Sequence, residues 1–190
     1  MYALFDFKNR EAFRSWLEKN HDQSNGIELY IYKKGFTDSG ISYEDAVQVA
    51  LCYGWIDSVV HSYNQEKFQQ HFSPRRKSSN WSLSNIKRMK LLIDSNEMTE
   101  YGLKYFDISL LDNLDEMIIE DELFKSSAPD IPDFFKEILV KENSLELFSN
   151  LTAAVQRRYI DYILASKKDE TSIRRCNKIV KMLNSEEPYL

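Results

Sequence analysis

Several residue types are scarce in this chain of 190 residues. Its two cysteines, Cys52 and Cys176, are too few for a disulfide framework or a zinc site, so we expect free, buried thiols in a reducing compartment. The chain has only 5 Gly and 4 Pro, and long flexible segments are therefore not expected. No run reaches the roughly 18 apolar residues of a membrane span, and the charged N-terminal segment is unlike a signal peptide. These absences predict a cytoplasmic protein.

Acidic residues are missing from one stretch of the sequence, and basic residues are almost missing from the next. Residues 67–93 contain seven Lys or Arg and no acid, whereas residues 94–122 contain ten acids and one basic residue, Lys104. The net charge of −5 argues against a general nucleic-acid binder, because phosphate contacts require a basic surface. The local positive charge of residues 67–93 still suits a smaller anion.

The pattern of apolar residues predicts an α+β fold. In the first half we expect helix, strand, helix, hairpin and helix, over residues 9–20, 27–34, 42–54, 55–72 and 82–94. A short helix follows Thr99, and residues 107–122 read as an extended acidic linker with one short helix. The predicted domains are an α+β domain (1–108) with a small, mostly antiparallel sheet packed against helices, an acidic linker (109–131) and a helical C-terminal unit (132–190).

Three motifs carry a family resemblance. They are KKGFTDSGISYEDAVQVALCYGWIDS from Lys33, HFSPRRKSSNWS from His71, and RRYIDYILASKKDETSIRRCNKIVKML from Arg157. Together they resemble the bacteriocin-protection, YdeI/OmpD-associated family of small bacterial proteins, over residues 27–106 and 132–184. Asp45 and Ser73 depart from the pattern. The resemblance implies a cytoplasmic protein linked to bacteriocin tolerance or envelope stress, with no defined enzymatic activity.

The turn after Pro74 is the predicted binding site. Arginine side chains beside a helix N-terminus suit a phosphate or a carboxylate. We expect an anion pocket with three aromatic walls, Tyr32, Trp55 and Trp81. The other candidate residues are two lysines, two arginines and an aspartate: Lys33, Lys34, Arg75, Arg76 and Asp57. Two other interpretations remain open, namely a solvated turn and an internal ion pair of Arg75 with Asp57 or Glu44.

No catalytic residues, cofactor or metal site are assigned. His61 and His71 lack a third convergent ligand, and Arg157–Arg158 and Arg174–Arg175 are expected to be solvated helix faces. The preferred function is non-enzymatic binding of an anionic small molecule or a protein partner. One alternative is a hydrolase or transferase that uses Asp57 or Cys52 with an Arg/Lys clamp. A second is nucleic-acid binding through residues 67–93, or through a basic groove of the C-terminal helices. The sequence does not indicate the oligomeric state.

Overall fold

The computed structural model describes residues 2–185, and the last five residues of the predicted 132–190 unit lie outside them. The chain divides into two compact units, Met1–Met117 and Ile118–Leu190. The first unit contains a sheet and helices, and the second is helical. The predicted α+β class with a helical C-terminal region is thereby confirmed.

The sheet of the first unit has four strands in the order β1-β2-β4-β3 among the described residues. They are β1 (Ala3–Phe5), β2 (Ile27–Tyr32), β3 (Trp55–Ser62) and β4 (Lys67–Pro74). Strand β1 is parallel to β2, while β4 is antiparallel to both β2 and β3. The predicted hairpin is therefore present and the sheet is mostly antiparallel. Strand β1 was not predicted, because three residues are too few to establish an alternation.

Four helices of the first unit begin at polar caps. They are α1 (Arg10–Asn20), α2 (Tyr43–Cys52), α3 (Leu83–Asp94) and α4 (Glu100–Leu103). The side chains of Asn9, Ser42, Ser82 and Thr99 each accept a hydrogen bond from a backbone N–H of the first turn. Such caps satisfy donors that have no partner within the helix, so short polar residues mark these starts in the sequence. After α2 the chain turns at Gly54, whose φ of 71° favours glycine.

One face of the sheet forms the core of the first unit. Ile27, Leu29 and Ile31 of β2 are buried, as are Phe13 and Leu17 of α1. Because side chains alternate along a strand, the residues between them point to the opposite face. That face is partly exposed and polar, with Glu28 of β2 directly opposite His71 of β4.

The second unit consists of helices around its own apolar core. Helix α5 (Leu114–Ser126) crosses the division between the units, and α6 (Asp133–Lys141), α7 (Leu145–Ser149), α8 (Ala153–Leu164) and α9 (Asp169–Ser185) follow. Buried side chains of the last four helices form the core: Phe135, Leu139, Phe148, Tyr159, Ile160, Ile163, Cys176, Ile179 and Val180.

Helix α5 corrects the sequence prediction. An extended linker with one short helix was expected, yet residues 114–126 form a helix of 13 residues. Its apolar side chains do not gather on one buried face, since Ile119 and Leu123 are 64% and 67% exposed. The helical period was therefore hidden, although Leu, Met, Glu and Lys all favour helices.

Candidate functional site

Arg75 lies buried at the end of the sheet. Its backbone N–H donates to the Gly54 carbonyl at 2.8 Å, and its side chain is 4% exposed. The guanidinium stacks on Trp81, with 3.5 Å from its central carbon to the ring centroid, and donates to the carbonyls of Ser79 and Asn80. Burial lowers the pKa of Arg75. The side chain thus holds the turn of residues 75–81 in place.

Two nitrogens of Arg75, Nε and Nη1, are buried without a hydrogen-bond partner among the described residues. Within residues 2–185 Arg75 forms no salt bridge with Asp57 or Glu44, the two acids considered from sequence, and both acids have other partners. Arg88 pairs with Glu44 through two contacts of 2.9 and 2.7 Å, which lowers the pKa of Glu44. The hydroxyl of Tyr43 donates to Asp57 at 2.9 Å. Burial, assisted by that hydrogen bond, raises the pKa of Tyr43 to about 12.

The two tryptophans predicted to line the pocket occupy different environments. Trp55 is 1% exposed, its Nε1 donates to the His21 carbonyl at 3.1 Å, and its ring meets Trp16 edge-to-face at 5.9 Å. Trp55 therefore belongs to the core and offers no surface to a ligand. Trp81 is partly exposed beside Arg75, and its Nε1 donates to the Tyr105 carbonyl at 3.3 Å.

The predicted lysines lie at the opposite end of the sheet from Arg75. Lys33 and Lys34 follow Tyr32, which pairs with Lys67 at the start of β4, whereas Arg75 follows the last residue of β4. An eight-residue strand spans roughly 23 Å at about 3.3 Å per residue. The structure therefore does not bring Lys33 and Lys34 together with Arg75 and Arg76. The ammonium of Lys33 donates to the Asn64 carbonyl at 2.9 Å.

Several basic residues of the acid-free stretch 67–93 have acidic partners from elsewhere in the chain. Lys67 contacts Asp6 at 2.7 Å, and this hydrogen bond raises the pKa of Lys67. Lys90 contacts Asp94 at 3.0 Å. Together with the Arg88 pair and the buried Arg75, these contacts leave the stretch much less positive than its sequence indicates.

Arg76 lines an open cleft of about 680 Å³ on the exposed face of the sheet. Ser58, His61, His71 and Glu28 line the same cleft. The hydroxyl of Ser58 is 2.8 Å from Nδ1 of His71. This pair was not predicted from the sequence, because it depends on a bulge between Asp57 and Val60 that shifts the register of the hairpin.

The second unit contains a larger groove, of about 850 Å³, beside α9. Five cations and one acid line it, together with Tyr162 and three other side chains; the charged residues are Lys168, Arg174, Arg175, Lys178, Lys181 and Glu170. The guanidinium of Arg175 lies over the Tyr162 ring at 4.4 Å. Arg174 and Arg175 were expected to lie on solvated helix faces. The spacing of Arg174, Lys178 and Lys181 nevertheless places these three on one side of a helix.

The cysteines are buried and unpaired. Burial raises the pKa of the Cys52 thiol and raises that of Cys176 to about 11. Within residues 2–185 no three His, Cys, Asp or Glu side chains are grouped so that they could hold a metal ion. None of the helices in that part of the chain has the length and apolar character needed to cross a bilayer.

The first unit, with its small sheet and aromatic core, and the helical second unit each match a family model. Residues 5–105, more than half of the chain, match the model described as a domain of unknown function (DUF8412), and the chain belongs to that family. Residues 128–186 match the model described as "Bacteriocin-protection, YdeI or OmpD-Associated". The resemblance expected from sequence is thus confirmed over the C-terminal part. No curated protein and no solved structure matches the chain.

Proposed function

We propose that this protein is a bacteriocin-protection protein that binds an anionic small molecule, and that the groove beside α9 is the binding site. The observation that carries the proposal is the charge of this groove, where five cations face a single acid. The groove also lies within the residues that match the bacteriocin-protection model. The two free, buried cysteines support a reducing, cytoplasmic location as part of the same proposal.

The spacing of the cations favours a ligand with more than one anionic group. Arg174, Lys178 and Lys181 are four and three residues apart on α9, so their Cα atoms are separated by roughly 6 and 4.5 Å along the axis. Phosphates or carboxylates of one small molecule are separated by similar distances. Tyr162 and Ile173 add apolar surface to the groove. Its volume of about 850 Å³ is in the range of small-molecule sites.

Fewer cations of this groove than of residues 67–93 have acidic partners. Three of the seven cations of residues 67–93, namely Lys67, Arg88 and Lys90, take part in a salt bridge, whereas none of the five in the groove does within residues 2–185. A cation without an acidic partner keeps its full attraction for an incoming anion. This difference, together with the burial of Arg75, favours the groove beside α9 over the turn at Arg75 as the anion site.

Calorimetric titration with pyrophosphate and with citrate tests the binding. We expect saturable binding that weakens as salt concentration rises, because exposed charges are screened. A Lys178→Glu/Lys181→Glu variant is expected to bind at least ten-fold more weakly. Lys136→Glu reverses one exposed charge on α6 of the same unit and is expected to have little effect. Absence of binding by both probes, or equal weakening by the α6 variant, would contradict the proposal.

A second experiment links binding to protection. A bacteriocin-sensitive bacterium that expresses the wild-type chain should survive exposure better than one that expresses Lys178→Glu/Lys181→Glu at equal abundance. Equal survival with the two proteins would show that the groove is not used in protection. Survival no better than that of cells without the protein would refute the protective function itself.

A further inference from the structure

A serine and a histidine on the exposed face of the sheet are positioned for chemistry. Ser58 is exposed, and its hydroxyl is 2.8 Å from Nδ1 of His71. The bulge between Asp57 and Val60 places Ser58 on the side of β3 that faces His71. Both side chains line the cleft of about 680 Å³, so a small molecule in the cleft can reach the hydroxyl.

An acid lies on the other side of the histidine. Glu28 is the direct partner of His71 in the register of β2 and β4, and directly opposite residues have Cβ atoms about 4.5–5.5 Å apart. Nε2 of His71 and Oε2 of Glu28 are both buried, and neither has a hydrogen-bond partner among the described residues. A methyl group at Gly26 would come within 2.9 Å of Nε2, so glycine at that position leaves room for the imidazole.

A carboxylate on one side of an imidazole biases which ring nitrogen carries the proton. The negative charge of Glu28 favours a proton on Nε2, the ring nitrogen without a partner. Nδ1 then carries the lone pair and accepts a hydrogen bond from the hydroxyl of Ser58. A serine that donates to a histidine, with an acid behind the ring, is the arrangement that activates a hydroxyl as a nucleophile. In the Ser-His-Asp triad, Nε2 faces the serine and Nδ1 faces the acid. Here Nδ1 is beside the serine, and Nε2 would carry the proton on the side of the acid.

We propose that Ser58, His71 and Glu28 form a nucleophilic site that hydrolyses small carboxylic esters, with Arg76 binding an anionic group of the substrate. Ser58 and His71 are the catalytic residues, and Glu28 is a positioning residue. Arg76 lines the same cleft and is exposed. The site lies in the first unit and does not depend on the proposed groove of α9, so either proposal can fail alone.

The reaction needs only water and the ester. The Ser58 oxygen bonds to the carbonyl carbon as its proton moves to Nδ1 of His71. The bond between that carbon and the leaving oxygen then breaks, and His71 gives its proton to the leaving alkoxide, which departs as an alcohol. Water next attacks the acyl carbon and passes a proton to His71. The bond to the Ser58 oxygen breaks, that oxygen regains the proton, and the carboxylic acid is released.

Acylation by 4-nitrophenyl acetate and by mono-(4-nitrophenyl) succinate tests the proposal. Release of 4-nitrophenolate gives the rate, and mass spectrometry of the intact and digested protein locates the acyl group. We expect an adduct on Ser58, none with Ser58→Ala, and a rate at least 100-fold lower with His71→Gln. Arg76→Ala should lose the preference for the succinate ester and still react with the acetate.

Two comparisons separate catalysis from structural roles. Ser62→Ala alters another exposed serine of β3, one that does not line the cleft, and should react like the wild type. Glu28→Gln should lower kcat with KM unchanged, and Glu28→Asp should restore part of the rate. Tryptophan emission and circular dichroism identical to those of the wild type establish that each variant folds. No adduct in the wild type, an adduct on another residue, or equal rates for wild type and His71→Gln would overturn the proposal.

Discussion

Replacing Arg75 by alanine distinguishes a structural role from a ligand-binding role. The change removes the hydrogen bond to the Asn80 carbonyl, the longer one to Ser79 at 3.5 Å, and the stack on Trp81. A hydrogen bond from a charged donor contributes about 1.5–3 kcal/mol. A desolvated cation–π contact contributes about 1–2 kcal/mol. Since two nitrogens of the buried guanidinium have no partner, relief of their desolvation offsets part of this sum. We expect a net loss of about 2–3 kcal/mol in the free energy of unfolding.

Urea denaturation followed by tryptophan fluorescence measures this loss. All three tryptophans, Trp16, Trp55 and Trp81, lie in the first unit, so the signal reports the unit that contains Arg75. With an m-value of about 1.5 kcal/mol per molar urea, the midpoint should fall by about 1.3–2 M. The control is Arg76→Ala, which removes the same side chain at the exposed neighbouring position and should change the free energy by less than about 0.5 kcal/mol.

The comparison of the two arginine variants shows whether the contacts of Arg75 stabilise the fold. If Arg75→Ala and Arg76→Ala have the same midpoint, the contacts of Arg75 contribute nothing to stability and the structural interpretation fails. Trp81→Ala supplies an independent check, because it removes the other half of the stack. The double variant should then lose less than the sum of the two single losses, since both remove one shared contact.

Two further predictions concern protons. The pKa of Tyr43 is about 12 in the folded protein and near 10 in the unfolded chain, so folding favours the protonated hydroxyl. The contribution of this hydroxyl to stability is fully present below pH 10 and is lost as the pH rises from 10 to 12. Tyr43→Phe should therefore flatten the fall of the urea midpoint over this interval. An equally steep fall in the variant would contradict the raised pKa of Tyr43. Cys52 and Cys176 are buried with raised pKa values, so iodoacetamide at pH 8 should alkylate neither in the native protein and both in urea. Alkylation of native Cys52 at the unfolded rate would restore the hypothesis of a thiol nucleophile.

Local signals in the sequence predicted much of the fold. The helix starts after Asn9, Ser42 and Thr99 were predicted correctly, and Ser82 was one of two starts considered, with Asn80, because a cap depends on neighbours within three residues. The hairpin of β3 and β4 was also predicted, since its strands are rich in β-forming residues around a short turn. Helix α5 was predicted as one short helix, and its length of 13 residues was not, because this local pattern is weak there.

The candidate sites were harder to predict, because they depend on contacts between distant residues. Nothing near Trp55 in the sequence indicates that its Nε1 donates to His21, 34 residues away. The pairing of β2 with β4 places Lys33 at the far end of the sheet from Arg75, and sequence does not show which strands pair. The contact of Ser58 with His71 requires both the hairpin register and its bulge. Each of these facts is set by tertiary packing.

The charge of a long segment also depends on contacts between residues that are distant in sequence. Residues 67–93 contain seven Lys or Arg and no acid, and this composition predicted an anion site at Arg75. Lys67, however, pairs with an acid 61 residues away, and Arg88 with an acid 44 residues away. Helix α9 also contains Asp169 and Glu170, so it is less conspicuous in the sequence. An ion pair cancels most of the electric field of both partners. A binding site for an anion is therefore better located by cations that lack an acidic partner in the folded chain. The density of cations along the sequence is a poorer guide.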